Sequence, residues 1–213
     1  MGNSVKIEHI SKSFRKIPVL TDVSAEFENG KIHGIIGHNG SGKTVLMKII
    51  CGLMDADSGE VFINGERRKN GGAYKFNIGA IIETPGFLPT QSGFKNLQYL
   101  ASIRRKIGDD EIKSAMKQVN LDPDDKKHVG KYSLGMRQRL GLAQAIMEAP
   151  DLLILDEPMN GLDKDGVKDM RQYLLDLKAQ GKTIIIASHS AEDIDVLCDT
   201  VYEMDSGHFE KIR

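Results

Sequence analysis

The run that most constrains the fold is Gly37-His38-Asn39-Gly40-Ser41-Gly42-Lys43-Thr44. Its spacing matches G-x-x-x-x-G-K-[ST], the phosphate-binding P-loop. Apolar residues precede it (Ile32, Ile35 and Ile36) and follow it at helical spacing (Val45, Leu46, Ile49, Ile50 and Leu53). Because a P-loop joins a buried strand to a helix, this context favours a phosphate site over a glycine-rich turn that binds nothing.

Each part of the motif has a physical role in binding a polyphosphate. The glycines let backbone N–H groups wrap closely around an anion, and the helix N-terminus adds positive charge behind it. Lys43 is expected to reach the β- and γ-phosphates, and the Thr44 hydroxyl to hold Mg²⁺. We therefore predict that the chain binds a nucleoside triphosphate through Gly37, His38, Asn39, Gly40, Ser41, Gly42, Lys43, Thr44 and Val45.

Length and composition suit a globular α/β protein. The 213 residues allow one domain, with room for an inserted subdomain. A net charge of −1 indicates no bulk attraction to nucleic acid, so no nucleic-acid partner is expected. Cys51 and Cys198 lie in apolar surroundings and are predicted to be buried free thiols. No run approaches the ~18 apolar residues that span a bilayer, and no apolar signal core opens the chain. We therefore expect any membrane role to require a partner.

The remaining pattern predicts strands and helices around the P-loop. Two β-like runs precede it, and 59–66 is predicted to be a strand entering an Asn-Gly hairpin, so an antiparallel sheet should flank the core. Residues 94–120 have the apolar spacing of two helices. The fold class predicted from this order is α/β, a P-loop core of mainly parallel strands. The predicted fold also includes an antiparallel β subdomain and a helical subdomain, and the helical subdomain is inserted in the core at about 85–147.

Two adjacent carboxylates, Asp156 and Glu157, end an apolar strand that begins at Leu152. In parallel sheets, ligands gather at the carboxyl ends of strands, where the P-loop also lies. Side chains alternate along a strand, so the two carboxylates can divide their roles. Asp156 is predicted to support Mg²⁺ with Thr44, and Glu157 to polarise the attacking water. The alternative is a pair of solvated charges closing a strand.

Four more residues, in three segments of the chain, belong to the candidate site. His189 ends an apolar strand and is predicted to face the γ-phosphate, although a histidine there is often only a hydrogen-bonded strand end. Glu83 ends another strand and could contact Mg²⁺ or water. Ser133 and Gly135 open a helix, which indicates either an ordinary N-cap or a second anion site. The pattern alone leaves this choice open.

Taken in order, these motifs resemble the nucleotide-binding subunit of ABC transporters across residues 4–212. Residues 37–44 resemble Walker A and residues 152–157 Walker B with its catalytic glutamate. Tyr132-Ser-Leu-Gly-Met136 stands where the family has L-S-G-G-Q. Asn160-Gly-Leu-Asp163 resembles the D-loop, and His189 the switch histidine. Phe14 falls where the family places an aromatic that stacks on adenine; the alternative is a small core aromatic.

The resemblance implies an activity and its partners. This chain is expected to pack head to tail with a second copy of itself or with a paralogous subunit, around two ATP molecules. Each ATP would lie between the P-loop of one subunit and the signature helix of the other, which in this chain begins with Ser133 and Gly135. Asp163 is expected near the nucleotide. The implied enzyme is a Mg²⁺-dependent ATPase with Lys43, Glu157 and His189 as catalytic residues. It is expected in the cytoplasm, attached to the inner face of the cell membrane through a multi-span permease.

Two departures from the family pattern narrow the resemblance. Glu83 stands where most members have a glutamine that bridges Mg²⁺ and signals to the membrane subunit. Tyr132, Leu134 and Met136 replace the usual Leu, Gly and Gln. Together they resemble the bacitracin-type branch, which exports or detoxifies antimicrobial peptides. That branch often carries a further C-terminal segment, so we expect this chain to be minimal or truncated.

Three other classes of nucleotide-binding protein would carry different sequence patterns. A P-loop kinase would need an acceptor-substrate site and a lid, and a GTPase would need Asn-Lys-x-Asp; neither pattern occurs. A non-transport ABC ATPase acting on a soluble macromolecular complex is the remaining alternative. Such proteins usually show two cassettes, long coiled-coil insertions or zinc cysteines, which this sequence lacks. The sequence therefore favours a transporter subunit.

Overall fold

The computed structural model describes residues 5–68, 76–83 and 86–213. The strands in these ranges are β1 (Val5–Phe14), β2 (Ile17–Phe27), β3 (Ile32–Ile36), β4 (Ser58–Ile63), β5 (Glu66–Arg67), β6 (Ile78–Ile81), β7 (Leu152–Asp156), β8 (Thr183–Ala187), β9 (Thr200–Asp205) and β10 (His208–Lys211). The helices are α1 (Lys43–Cys51), α2 (Gly93–Arg104), α3 (Asp109–Gln118), α4 (Leu134–Ile146), α5 (Lys164–Ala179) and α6 (Ala191–Leu197). A 3-10 turn covers Val129–Lys131.

The larger sheet has six strands in the order β10-β9-β3-β8-β7-β6. All its pairs are parallel except β10 with β9. Every residue of β8 is buried, the pattern of a parallel strand covered on both faces. Because the strands run in one direction, the carboxyl ends of β3, β6, β7 and β8 meet at one edge. This arrangement confirms the predicted mainly parallel core.

The smaller sheet is antiparallel, with strand order β2-β1-β4-β5. Its β4–β5 hairpin turns at Asn64 and Gly65, both with positive φ (58° and 76°). A two-residue turn with positive φ at both positions is the type that Asn-Gly favours. The predicted antiparallel sheet and its Asn-Gly hairpin are therefore both confirmed.

The core divides into two hydrophobic clusters on opposite sides of the larger sheet. One joins a face of that sheet to buried residues of α2, α3, α4 and α5. The other joins the opposite face to α1 and the smaller sheet. The helical insertion and the β subdomain are thus present as predicted. The boundaries 85 and 147 stay a prediction, and Thr84 and Pro85 lie outside the described residues.

Neither cysteine has an environment that would make it reactive. Cys51 is buried, as predicted, whereas Cys198 is only partly buried. Burial raises the pKa of both thiols to about 12, so each stays protonated near neutral pH. Among the described residues, no helix has the length and apolar character needed to cross a membrane.

Candidate nucleotide-binding and hydrolysis site

The P-loop connects β3 to α1 through a backbone that only glycine adopts easily. Gly37, Gly40 and Gly42 have φ values of 146°, 84° and 113°. A Cβ at Gly37 would lie 2.2 Å from the Met204 carbonyl oxygen. Lys43 Nζ donates to the carbonyls of Gly37 (2.7 Å) and His38 (3.0 Å), so the lysine holds the curve of the loop.

The surroundings of the loop suit an anion. The Ser41 hydroxyl is buried and has no hydrogen-bond partner within the described chain. No acidic residue lies in the first turn of α1, whose N-terminus carries partial positive charge. A phosphate oxygen would therefore meet the helix N-terminus together with an unpaired donor.

Thr44 and Asp156 come together although 112 residues separate them. Thr44 Oγ1 donates to Asp156 Oδ2 at 2.7 Å, at the carboxyl end of β7. A hydroxyl and a carboxylate are oxygen ligands of the kind that Mg²⁺ prefers. Across the described ranges, no group of three or more His, Cys, Asp or Glu side chains could hold a metal. As oxygen donors, Thr44 and Asp156 would suit a magnesium ion that takes its other ligands from phosphate and water.

Glu157 and His189 form a second pair at the same edge. Glu157 has φ 51°, and its N–H donates to the Ala187 carbonyl at 3.0 Å, which places it beside the end of β8. His189 Nδ1 lies 2.8 Å from Glu157 Oε2. An ionised carboxylate only accepts hydrogen bonds, so this contact assigns the proton to Nδ1. In the neutral ring, Nε2 is then free to accept.

His189 and Gly37 line a different cavity, whereas a cleft of about 480 Å³ contains most of the other groups. The predicted site residues that line it are Asn39, Gly40, Gly42, Lys43, Thr44, Val45, Glu83, Asp156 and Glu157. Val19, Leu134, Arg137, Gln138 and Asn160 also line it. The structure therefore brings the P-loop and three strand-end carboxylates into one space.

Glu83 reaches this cleft with its carboxylate already paired. Its Oε1 lies 2.6 Å from Lys48 Nζ on α1, and 61% of the Glu83 side chain is exposed. The residue has φ 60°, a left-handed conformation just beyond β6. A carboxylate in this position can contact either the lysine or a cation in the cleft.

Ser133 and Asp163 both act as helix N-caps. Ser133 Oγ accepts from the Met136 N–H at 3.2 Å, and Asp163 Oδ1 from the Gly166 N–H at 3.0 Å. A Cβ at Gly135 would lie 3.0 Å from the Gly161 carbonyl oxygen, so the start of α4 packs on the segment before α5. The N-cap alternative for Ser133 is thus observed, and the anion role stays a prediction.

Phe14 lies outside this cleft. It ends β1, is 43% exposed, and Lys12 Nζ lies 5.7 Å from its ring centroid. The lining of the cleft includes Val19 but not Phe14. Adenine stacking on Phe14 remains a prediction.

Among the residues at the site that sequence reasoning did not identify, Gln138 and Lys48 make specific hydrogen bonds. Gln138 Nε2 donates to the carbonyls of Glu157 (3.3 Å) and Pro158 (3.0 Å), and no sequence spacing indicates this contact. Lys48 pairs with Glu83. Because Lys48 lies four residues after Thr44 on one helix, it shares the face of that residue, a signal that could have identified it.

Comparisons with known proteins identify the family to which the sequence is similar. The family model described as ABC transporter matches residues 20–160. The uncharacterized ABC transporter ATP-binding protein YybJ of Bacillus subtilis is 41% identical over 206 residues, covering 97% of this chain and 94% of the relative. The bacitracin transport ATP-binding protein BcrA of Enterococcus faecalis is 39% identical over 206 residues, covering 96% of this chain and 67% of the relative.

A solved structure extends the likeness to the fold. It is a dimeric post-hydrolysis state of an ATP-binding cassette bound to ADP and Pi. Its TM-score is 0.89 at 21% identity, over 98% of this chain and 99% of that one. With a family match over most of its length, the chain belongs to the ABC transporter family, as an ATP-binding subunit that hydrolyses ATP.

Proposed function

We propose that this subunit powers the export of an antimicrobial peptide or another small molecule through a separate membrane permease. The observation that carries the proposal is the convergence of the P-loop, Asp156 and Glu157 in one cleft. The cargo class is supported by the relative named for bacitracin transport. The pattern of Glu83 and Ser-Leu-Gly-Met, which resembles that branch, supports the same proposal.

In the proposed mechanism, the chain's own residues position ATP and a water molecule. Lys43 Nζ leaves the carbonyls of Gly37 and His38 and binds the β- and γ-phosphates. The N-terminus of α1 faces the negative charge of the same phosphates. Thr44 and Asp156 would hold magnesium, which supplies positive charge to the phosphate oxygens when bound. Glu157 accepts a hydrogen bond from the attacking water and then its proton. His189 orients Glu157 through Nδ1.

The second half of the site would come from another subunit. The N-terminus of α4 has no acidic residue in its first turn, and Leu134 beside it is 62% exposed. In a head-to-tail dimer, Ser133 and Gly135 at this N-terminus would meet the γ-phosphate held by the P-loop of the other chain. Asp163 would then lie at the same interface, since α4 packs on Gly161 and Leu162. Binding of ATP would close the dimer, and its hydrolysis would reopen it.

We place the permease contact beside β6, at the inner face of the cell membrane. β6 is an edge strand, and a groove of about 640 Å³ runs between it, α2 and the end of α4. Leu53 and Ile103 line this groove and are 62% and 76% exposed, so it carries apolar surface. The contact would include residues 84–97, of which Thr84 and Pro85 lie outside the described part.

The test measures whether transport depends on ATP hydrolysis by this chain. Co-expression of the chain with a candidate multi-span permease from the same genome should protect sensitive cells from bacitracin, and Glu157→Gln should abolish that protection. Crosslinks to the permease should form at Leu53 and Ile103. Protection that survives Glu157→Gln would contradict the proposed coupling, and crosslinks confined to another face would contradict the proposed contact.

A further inference from the structure

A series of hydrogen bonds supports the loop that carries His189. This loop, Ser188 to Ser190, joins β8 to α6. The buried Ser188 hydroxyl accepts from the Ser190 N–H at 3.1 Å and donates to Asp193 Oδ2 at 3.2 Å. The Ser190 hydroxyl accepts from the Asp193 N–H at 3.3 Å as the N-cap of α6. Both serines beside His189 are therefore bound to Asp193.

Asp193 is a buried carboxylate whose two oxygens contact different elements. Only 4% of its side chain is exposed, so its charge requires a partner. Arg171 on α5 supplies that partner, with Nε at 2.8 Å and Nη2 at 2.5 Å from Oδ1. Because Oδ1 takes the arginine, Oδ2 remains for Ser188. The carboxylate thus ties α5 to the loop.

The third nitrogen of Arg171 makes a different kind of contact. Its Nη1 lies 2.8 Å from Glu192 Oε1, and 73% of the Glu192 side chain is exposed. Exposed ion pairs of this kind contribute little because water screens them. Arg171 therefore has one buried pair that reaches the loop and one exposed pair that does not. The exposed pair provides a matched control.

His189 itself has few contacts that could hold it in place. Its side chain is 68% exposed, and its Nδ1 meets Glu157 at 2.8 Å. The direction of such a ring depends on the backbone that carries it. We propose that the Arg171–Asp193 pair positions His189, holding the loop so that the imidazole stays within hydrogen-bond distance of Glu157 during ATP turnover. The inference rests on the proposed role of His189 in hydrolysis.

The test compares variants of the full chain by kcat and KM for ATP, with urea unfolding as a fold check. Arg171→Met should lower kcat by roughly tenfold to a hundredfold, the size of a misplaced catalytic group, while KM stays constant. Arg171→Lys should recover part of the loss because it keeps the charge beside Asp193. Ser188→Ala should lower kcat by a smaller factor, and Glu192→Gln should leave it unchanged.

A double-mutant cycle separates positioning from a general structural role. In a His189→Ala background, Arg171→Met should cause no further loss, since the group it positions is gone. Two losses that multiply would overturn the inference. If His189→Ala turns over at the wild-type rate, the proposed role of His189 fails; if it is slow while Arg171→Met is fast, the positioning inference alone fails. If Arg171→Met does not fold, Ser188→Ala replaces it in the cycle. A wild-type kcat for Ser188→Ala would then overturn the inference.

Discussion

Lys48 Nζ lies 2.6 Å from Glu83 Oε1 and joins the P-loop helix to the strand end beside the nucleotide cleft. The lysine therefore competes with any cation that Glu83 could bind. We expect Glu83→Gln to raise the Mg²⁺ concentration needed for half-maximal ATP turnover, because it removes a charged ligand. Lys48→Met should lower that concentration, because it frees the carboxylate. Magnesium titrations of the two variants measure both shifts.

The control for these variants is Lys182→Met, which breaks a similar ion pair with Asp151 at the opposite edge of the larger sheet. Each of the three changes should alter the free energy of unfolding by about 1 kcal/mol or less, as for other exposed pairs. Magnesium titrations of Glu83→Gln and Lys48→Met that match the wild type would remove Glu83 from the metal site.

Glu157→Gln should abolish turnover and leave ATP binding intact. The amide cannot accept a proton from water, and loss of a general base costs on the order of a hundredfold in rate or more. Because ATP would close the dimer without being consumed, size-exclusion chromatography with ATP should show a trapped dimer. Glu203→Gln, at an exposed carboxylate of β9, is the matched control. Turnover of Glu157→Gln at the control rate would contradict the assigned role.

Gly37 and Gly40 allow backbone strain to be separated from a steric clash. Both have positive φ, but a Cβ at Gly40 meets no atom within 4 Å, whereas one at Gly37 lies 2.2 Å from the Met204 carbonyl. Gly40→Ala should cost about 1 kcal/mol of unfolding free energy. Gly37→Ala should cost roughly 2 kcal/mol or more and weaken ATP binding, because the loop must move. If urea unfolding gives the same loss of unfolding free energy for Gly37→Ala and Gly40→Ala, the steric clash at Gly37 contributes nothing and this prediction is wrong.

His33 should make stability depend on pH. The ring is buried, its Nε2–H donates to the Glu28 carbonyl and its Nδ1 accepts from Thr200 Oγ1, both at 2.7 Å. Burial lowers its pKa below the usual value, so the unfolded chain binds the proton more readily. The contribution of neutral His33 to the free energy of unfolding is complete above about pH 6.5. Below that pH it falls by up to ~1.4 kcal/mol per pH unit.

The measurement is urea unfolding of the wild type and His33→Gln between pH 7.5 and pH 5.5. The variant should lose the part of the pH dependence that His33 supplies, since glutamine does not titrate. His208→Gln, at an exposed histidine of β10, should retain it. Parallel stability curves for the wild type and His33→Gln would contradict the assignment.

The local features of the site were predictable because each depends on a short stretch of chain. Glycine spacing specifies the P-loop backbone, and an apolar run ending in Asp156 and Glu157 specifies a buried strand with two carboxylates at its end. Those features, in order, also predicted the fold class and the family. They could not show which partner each side chain takes. Phe14 shows this limit, since its position in the motif order predicts adenine stacking, whereas the lining of the cleft does not include it.

Tertiary packing decided the pairings between distant segments. Lys48 meets Glu83, His189 meets Glu157, and Arg171 meets Asp193 only because the parallel sheet brings several strand ends to one edge and packs α5 against α6. A hydrogen bond depends on distances of a few tenths of an ångström, and sequence periodicity places side chains only on a face. The sequence by itself therefore determines which chemical groups the site contains, while the packed structure determines which of these groups contact one another.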